Sequence, residues 1–212
     1  MRLLGYWRSS ASWRVRIALH LKGLPFTHEP VHLVRDGGEQ HSEAYRALNP
    51  MAQVPTLVVD AGGEEVALTQ SLAIMEWLEE AHPEPPILPA QPFERARVRQ
   101  IAEIVNSGIQ PMQNLSTLLA VEALGAERAA WAKPRIARGL EAVERLLGTG
   151  PFALEARPTI ADACIVPQLY AAGRFGVDLQ PFSKLMRVDE ACAAHPAFQA
   201  AHADAQPDAQ RT

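Results

Sequence analysis

The chain has 212 residues, a hydrophobic fraction of 48%, a charged fraction of 21% and a formal net charge of −4. Such a chain suits one large or two small globular domains. It shows no basic footprint for nucleic acid, no apolar run near the roughly 18 residues that span a bilayer, and no basic-then-apolar leader. Its two cysteines, Cys164 and Cys192, have neither CxxC nor metal-ligand spacing. We therefore expect a reducing, cytoplasmic setting with no disulfide, no metal, and no nucleic-acid or membrane partner.

Residues 1–6 predict a short strand that runs into Arg8-Ser9-Ser10-Ala11-Ser12. From Ser12 to Lys22, Val15, Ala18 and Leu19 recur at helical spacing with Arg14 and Arg16 off that side, and Lys22-Gly23 is a stop. The serines thus stand at a helix N-terminus. There, hydroxyls, unpaired N–H groups and the macrodipole favour negative charge, so the stretch reads both as a helix cap and as a place to hold an anion. Phe26–Leu33 predicts a second strand, Gly37-Gly38 a loop, and Ser42–Ala47 a short helix ended by Asn49-Pro50. Val54-Pro55 opens a strand through Asp60, where proline suits the first position. Glu65–Leu68 returns as a hairpin, and Gln70-Ser71 leads into a helix over 72–80.

Four prolines between His82 and Pro89 mark a stiff linker, 82–89, between an α/β domain, 1–81, and an all-helical domain, 90–212. Glu94–Leu119 predicts one helix, bent at Pro111, with Gly108 allowing a close approach. Another helix covers 127–147. Thr159 and Asp162 form a capping box that opens an apolar helix through Cys164, Ile165 and Leu169, with Cys164 a core residue. Helical segments follow over 182–194 and 196–202, and the polar tail 204–212 is expected to fray.

A βαβ unit, a proline-opened hairpin and a closing helix, joined to a helical domain, resemble a thioredoxin-like domain in the cytosolic glutathione transferase architecture. Ser9-Ser10-Ala11-Ser12-Trp13-Arg14-Val15-Arg16 resembles the zeta-class signature. Asp36-Gly37-Gly38-Glu39-Gln40, Asn49-Pro50-Met51-Ala52-Gln53-Val54-Pro55, Gln70-Ser71-Leu72-Ala73-Ile74 and Ile109-Gln110-Pro111-Met112-Gln113-Asn114 are similar to that class too. Nearly the whole chain is covered. Within the class it resembles the bacterial glutathione-dependent maleylpyruvate and maleylacetoacetate isomerases.

The resemblance implies glutathione as cofactor, a small unsaturated dicarboxylate as substrate, a homodimer, and cis–trans isomerisation in aromatic-compound catabolism. It puts Ser9 beside the sulfur, with Ser10 and the Ala11 N–H as further donors. A hydroxyl and a helix end both favour thiolate over thiol. It makes Val54-Pro55 a cis bond whose Val54 backbone pairs with the cofactor's peptide groups. It assigns Gln70 and Ser71 to the γ-glutamyl carboxylate, Gln40 (and His41) to the glycyl end, and Gln110 and Asn114 to closing the pocket. Arg8 and Arg174 are candidates for the substrate's carboxylates, which arginine grips bidentately. Ala11 stands where the class usually has cysteine, so the sulfur chemistry falls to glutathione. Two other readings stay open: a transferase that conjugates small electrophiles such as α-haloacids, and a non-catalytic binding module of this fold.

Overall fold

A computed structural model describes residues 1–154 and 156–210. They form two units: Met1–Ile87 with the chain from Pro196 onward, and Leu88–His195.

The first unit runs β1 (Arg2–Gly5), α1 (Ser10–Leu21), β2 (Thr27–Pro30), α2 (Glu43–Leu48), β3 (Thr56–Asp60), β4 (Glu65–Thr69) and α3 (Ser71–Ala81). The sheet order is β2-β1-β3-β4, with β1 parallel to β2 and the other pairs antiparallel. This is the expected thioredoxin-like plan. Side chains alternate across the strands. Leu4, Val58 and Ala67 share the face packed on Val31, Tyr45, Leu48 and Val54, and the fully buried Leu3 and Leu57 share the other.

The expected polar side of α1 does not exist, because Ser12 through Leu19 are all buried, Arg14 and Arg16 included. Helical period locates one apolar face; it does not show that a second layer covers the opposite one. The linker is also pinned. Lys22 Nζ lies 2.7 Å from Glu79 Oε2 and donates to the carbonyls of His82 (2.7 Å) and Pro85 (3.1 Å). Glu79 Oε2 accepts the Ile87 N–H at 2.9 Å.

The second unit contains α4 (Pro92–Glu103), a π-helical turn (Ile104–Ile109), α5 (Gln110–Gln113), α6 (Leu115–Ala123), α7 (Arg128–Leu146), α8 (Ile160–Arg174) and α9 (Ser183–Ala193). The single bent helix expected over 94–119 is therefore interrupted. Pro111 has no N–H and crowds the carbonyl four residues back. The chain answers one turn upstream by widening, the Gln110 N–H reaching Val105 O. A second break falls at Asn114 (φ −62°, ψ 145°). Gly108 faces open space, and the close approach is at Gly139, where a Cβ would collide with Ile109.

The capping box forms as expected. Asp162 Oδ2 accepts the Thr159 N–H (2.8 Å) and Oγ1 (2.9 Å), and Oδ1 accepts the Ala153 N–H (2.7 Å). Burial pushes this carboxyl up to about 6 from 3.8, against the pull of those hydrogen bonds. A carboxyl that holds its proton more tightly folded than unfolded favours folding below about pH 4 and loses that contribution as pH rises to about 6. Replacing Asp162 with asparagine removes the titration. Thermal unfolding of both proteins from pH 4 to pH 7 should therefore show wild type losing about 2–3 kcal/mol relative to the variant. Parallel stability curves would refute it.

The last helix, α10 (Pro196–Ala201), packs on α1. The linker at 82–89 assigns residues from 196 onward to the helical domain, and polar composition predicts a frayed tail. Instead Arg16 Nε donates to Ala201 O (3.1 Å), the Trp13 and His202 rings meet edge to face at 4.8 Å, and Asp208 bonds the Trp7 N–H. Polar composition does not reveal buried partners elsewhere in the chain. Residues 211–212 lie outside the described residues.

Candidate active site

Strand register assembles the first unit's candidates. Leu4 in β1 pairs with Thr56 in β3, which pairs with Thr69 in β4. The C-terminal end of β1, the N-terminal end of β3 and the C-terminal end of β4 therefore share one edge of the sheet. Arg8, Ser9, Ser10 and Ala11 follow the first, Val54 precedes the second, and Gln70 and Ser71 follow the third. Residues far apart in sequence reach one place because the sheet is mixed.

Ser9 is the N-cap of α1. Its Oγ accepts the Ser12 N–H at 3.2 Å, and its carbonyl accepts the Trp13 N–H at 2.8 Å. A hydroxyl that accepts through a lone pair keeps its proton to donate, so capping and anion binding coexist. The Ala11 N–H has no hydrogen-bond partner among the described residues. The guanidinium of Arg8 stands 5.2 Å from the centre of the Trp7 ring.

Gln70 precedes α3 at φ 66°, an uncommon conformation for a residue with a Cβ, and makes no side-chain cap bond. The N–H groups of Ser71, Leu72 and Ala73 have no partner among the described residues. A helix N-terminus with free donors is an anion site by construction. The Val54-Pro55 bond is cis, and the Val54 N–H and C=O are likewise unpaired among the described residues. The preceding carbonyl, of Gln53, is gripped twice, by Asn49 Nδ2 (2.6 Å) and Tyr45 Oη (2.7 Å), and Tyr45 Oη also meets Thr56 Oγ1 (3.0 Å). Gln40 is buried; its Nε2 donates to Leu33 O (3.3 Å), while its Oε1 has no partner among the described residues. His41 is exposed.

The remaining candidates belong to the second unit. Gln110 is buried at the start of α5, Asn114 is exposed at the break before α6, and Arg174 is exposed in the last turn of α8. A single bent helix over 94–119 puts Gln110 and Asn114 one turn apart; Gln110 starts α5, and Asn114, in extended conformation, ends α5 and precedes α6. α5 and α8 are tied by reciprocal amide bonds between Gln113 and Gln168 (3.1 and 3.0 Å).

Comparison with known families matches both parts of the chain. Residues 8–81 match the model of the glutathione S-transferase N-terminal domain and residues 76–201 that of the C-terminal domain. The chain belongs to the glutathione S-transferase family. A maleylacetoacetate isomerase of Pseudomonas aeruginosa is 46% identical over 98% of both chains. A maleylacetoacetate isomerase of Anaeromyxobacter dehalogenans, solved with glutathione in its active site, matches at TM-score 0.90 and 53% identity, covering 99% of this chain and 97% of that one. It has also been solved with dicarboxyethyl glutathione and citrate there. The holo structure of a zeta-class maleylpyruvate isomerase matches at TM-score 0.92 and 42% identity, over 99% of this chain and all of that one.

The candidate site also has supports that carry no motif of their own in the sequence. Asn49 and Tyr45 hold the turn before Val54. The only local signal was Asn49-Pro50, read as a helix stop. Arg16, His28 and Asp208 fasten the turn before Ser9, and no local signal marks them as a set.

Proposed function

We propose that this chain is a glutathione-dependent cis–trans isomerase that converts maleylacetoacetate or maleylpyruvate to the fumaryl isomer. One observation carries the reading. The edge of the sheet gathers unpaired peptide donors at Ala11, Val54 and Ser71–Ala73 around a serine cap, and Ala11 leaves the protein no thiol there. Those donors fit a γ-glutamyl tripeptide. Ser71 and the N-terminus of α3 take its α-carboxylate, with Gln70 beside them. Val54 pairs with its backbone as an added strand would, and Gln40 offers its buried amide to the glycyl end.

When bound there, glutathione supplies the nucleophilic thiolate and is returned unchanged. Ser9 donates to the sulfur with Ser10 and the Ala11 N–H as further donors, and the N-terminus of α1 favours its negative charge. Arg8 and Arg174 hold the substrate carboxylates and stabilise charge that develops on the conjugated carbonyl. Gln110 and Asn114 are further candidates for contacting the cofactor. The protein works as a homodimer in the cytoplasm, in the breakdown of aromatic compounds. Cys164 and Cys192 are both buried. Among the described residues no helix is long and apolar enough to cross a membrane.

The test mixes protein, glutathione and each diketo acid, follows loss of the cis substrate's enol absorbance, and analyses the thiol. Turnover with glutathione recovered intact is expected. A stable thioether would make the chain a conjugating transferase, and no glutathione-dependent loss of either substrate would end the proposal.

A further inference from the structure

The turn between β1 and α1 carries Arg8 and Ser9, and it is held by the far end of the chain. Both peptide groups of Trp7 are fastened. Its N–H donates to Asp208 Oδ2 at 3.0 Å, and its C=O accepts from Arg16 Nη2 at 2.8 Å. Asp208 Oδ1 meets His28 Nε2 at 3.1 Å, and the two side chains are 12% and 7% exposed. Arg16 also donates through Nε to Ala201 O. The segment after Pro196 is thus a strap with two grips, one through Arg16 and one through Asp208, and both end on Trp7. Burial lowers the Arg16 guanidinium to about 9, and the Asp208 carboxylate is the charge that opposes this.

Trp7 is two residues from Ser9. The Ser9 N–H donates to Tyr6 O at 3.0 Å, closing the turn around Trp7. The Tyr6–Trp7 peptide is therefore held at both its C=O and its N–H; without Asp208 the N–H is released, and rotation of that peptide would carry Arg8 and Ser9 with it. A misplacement of about 1 Å at a reacting centre costs on the order of a hundredfold in rate.

We propose that Asp208 is a positioning residue for the thiol site: by accepting the Trp7 N–H it fixes the turn that presents Ser9 and Arg8. The proposal rests on the reading of Ser9 as the sulfur's donor. The test uses full-length wild type, Asp208→Ala, Asp208→Asn and Ser9→Ala, each saturated with glutathione. The readout is the pH titration of the bound thiolate's ultraviolet absorbance, alongside turnover and thermal unfolding. Asp208→Ala should raise the bound thiol's titration midpoint by about one unit and cut turnover by about tenfold or more. Asp208→Asn keeps an oxygen for the Trp7 N–H and should recover most of both. A purely structural role would lower the unfolding temperature and leave the titration in place, which overturns the proposal.

If Ser9→Ala shifts the titration and Asp208→Ala does not, this proposal alone fails. If Ser9→Ala leaves it unmoved, the Ser9 reading fails and takes the proposal with it. Hydrogen exchange on the wild type decides the matter even if Asp208→Ala does not fold. The Trp7 amide should exchange slowly, and more slowly with glutathione bound; exchange at the rate of an open loop overturns the proposal.

Discussion

Replacing Ser9 with alanine is expected to cut glutathione-dependent turnover ten- to a hundredfold while costing only about 1 kcal/mol of stability. The two effects have separate origins. The stability term is the lost cap, since Ser9 Oγ accepts the Ser12 N–H and N-cap serine to alanine costs about 0.5–2 kcal/mol. The turnover term is the lost donor. A hydrogen bond to a charged group is worth about 1.5–3 kcal/mol, and at about 1.4 kcal/mol per unit that is one to two units in the bound thiol's pKa. Threonine at this position keeps the hydroxyl and should retain most of the activity. Kinetics and thiolate titration on both variants check this. If the alanine variant turns over at the wild-type rate with a normal thiolate, the main donor is Ser10.

The second large effect is on folding. Replacing Lys22 with methionine leaves the Glu79 carboxylate buried without its ammonium, the two side chains being 0% and 7% exposed. Breaking a buried pair by removing one partner costs about 3–5 kcal/mol. Unfolding at that cost moves the midpoint by roughly 10 °C in a chain of this size. The double variant Lys22→Met/Glu79→Leu should recover part of the loss, since no charge is then stranded. Recovery stays incomplete because Lys22 also serves the His82 and Pro85 carbonyls and Glu79 the Ile87 N–H. Denaturant unfolding of wild type, Lys22→Met, Glu79→Leu and the double variant measures it. A single variant within 1 kcal/mol of wild type, or a double variant less stable than Lys22→Met, contradicts this account.

Short-range signals carried most of the fold. The serine-to-helix junction, the strand after Val54-Pro55, its hairpin return and the Thr159–Asp162 box each lie within a few residues, and each formed. Long-range partnerships were invisible. Asp208 bonds Trp7 across 201 positions and His28 across 180, and neither separation leaves a local pattern. Arg16 reads as lying off the apolar side for the same reason, because its partner Ala201 belongs to α10. The interrupted helix over 94–119 was half legible. Pro111 announced a disturbance, but where the backbone widens and where it breaks depends on packing, including Ile109 against Gly139. For the candidate site, the motifs named the residues. Only the register showed why Ser9, Val54 and Ser71 share an edge, and only the hydrogen bonds showed which of their donors are free.

The return of residues after Pro196 to the first unit sets an order of events at the ribosome. Domains tend to fold from the N-terminus as they emerge, yet the sheet unit cannot be finished when its own strands and helices are out. Arg16 must wait for Ala201 and the Trp7 N–H for Asp208, and the entire helical unit is translated in between. During that interval α1 lacks its outer cover and the turn before Ser9 lacks its fastening. The turn before Ser9 is thus completed only after the helical unit has been translated.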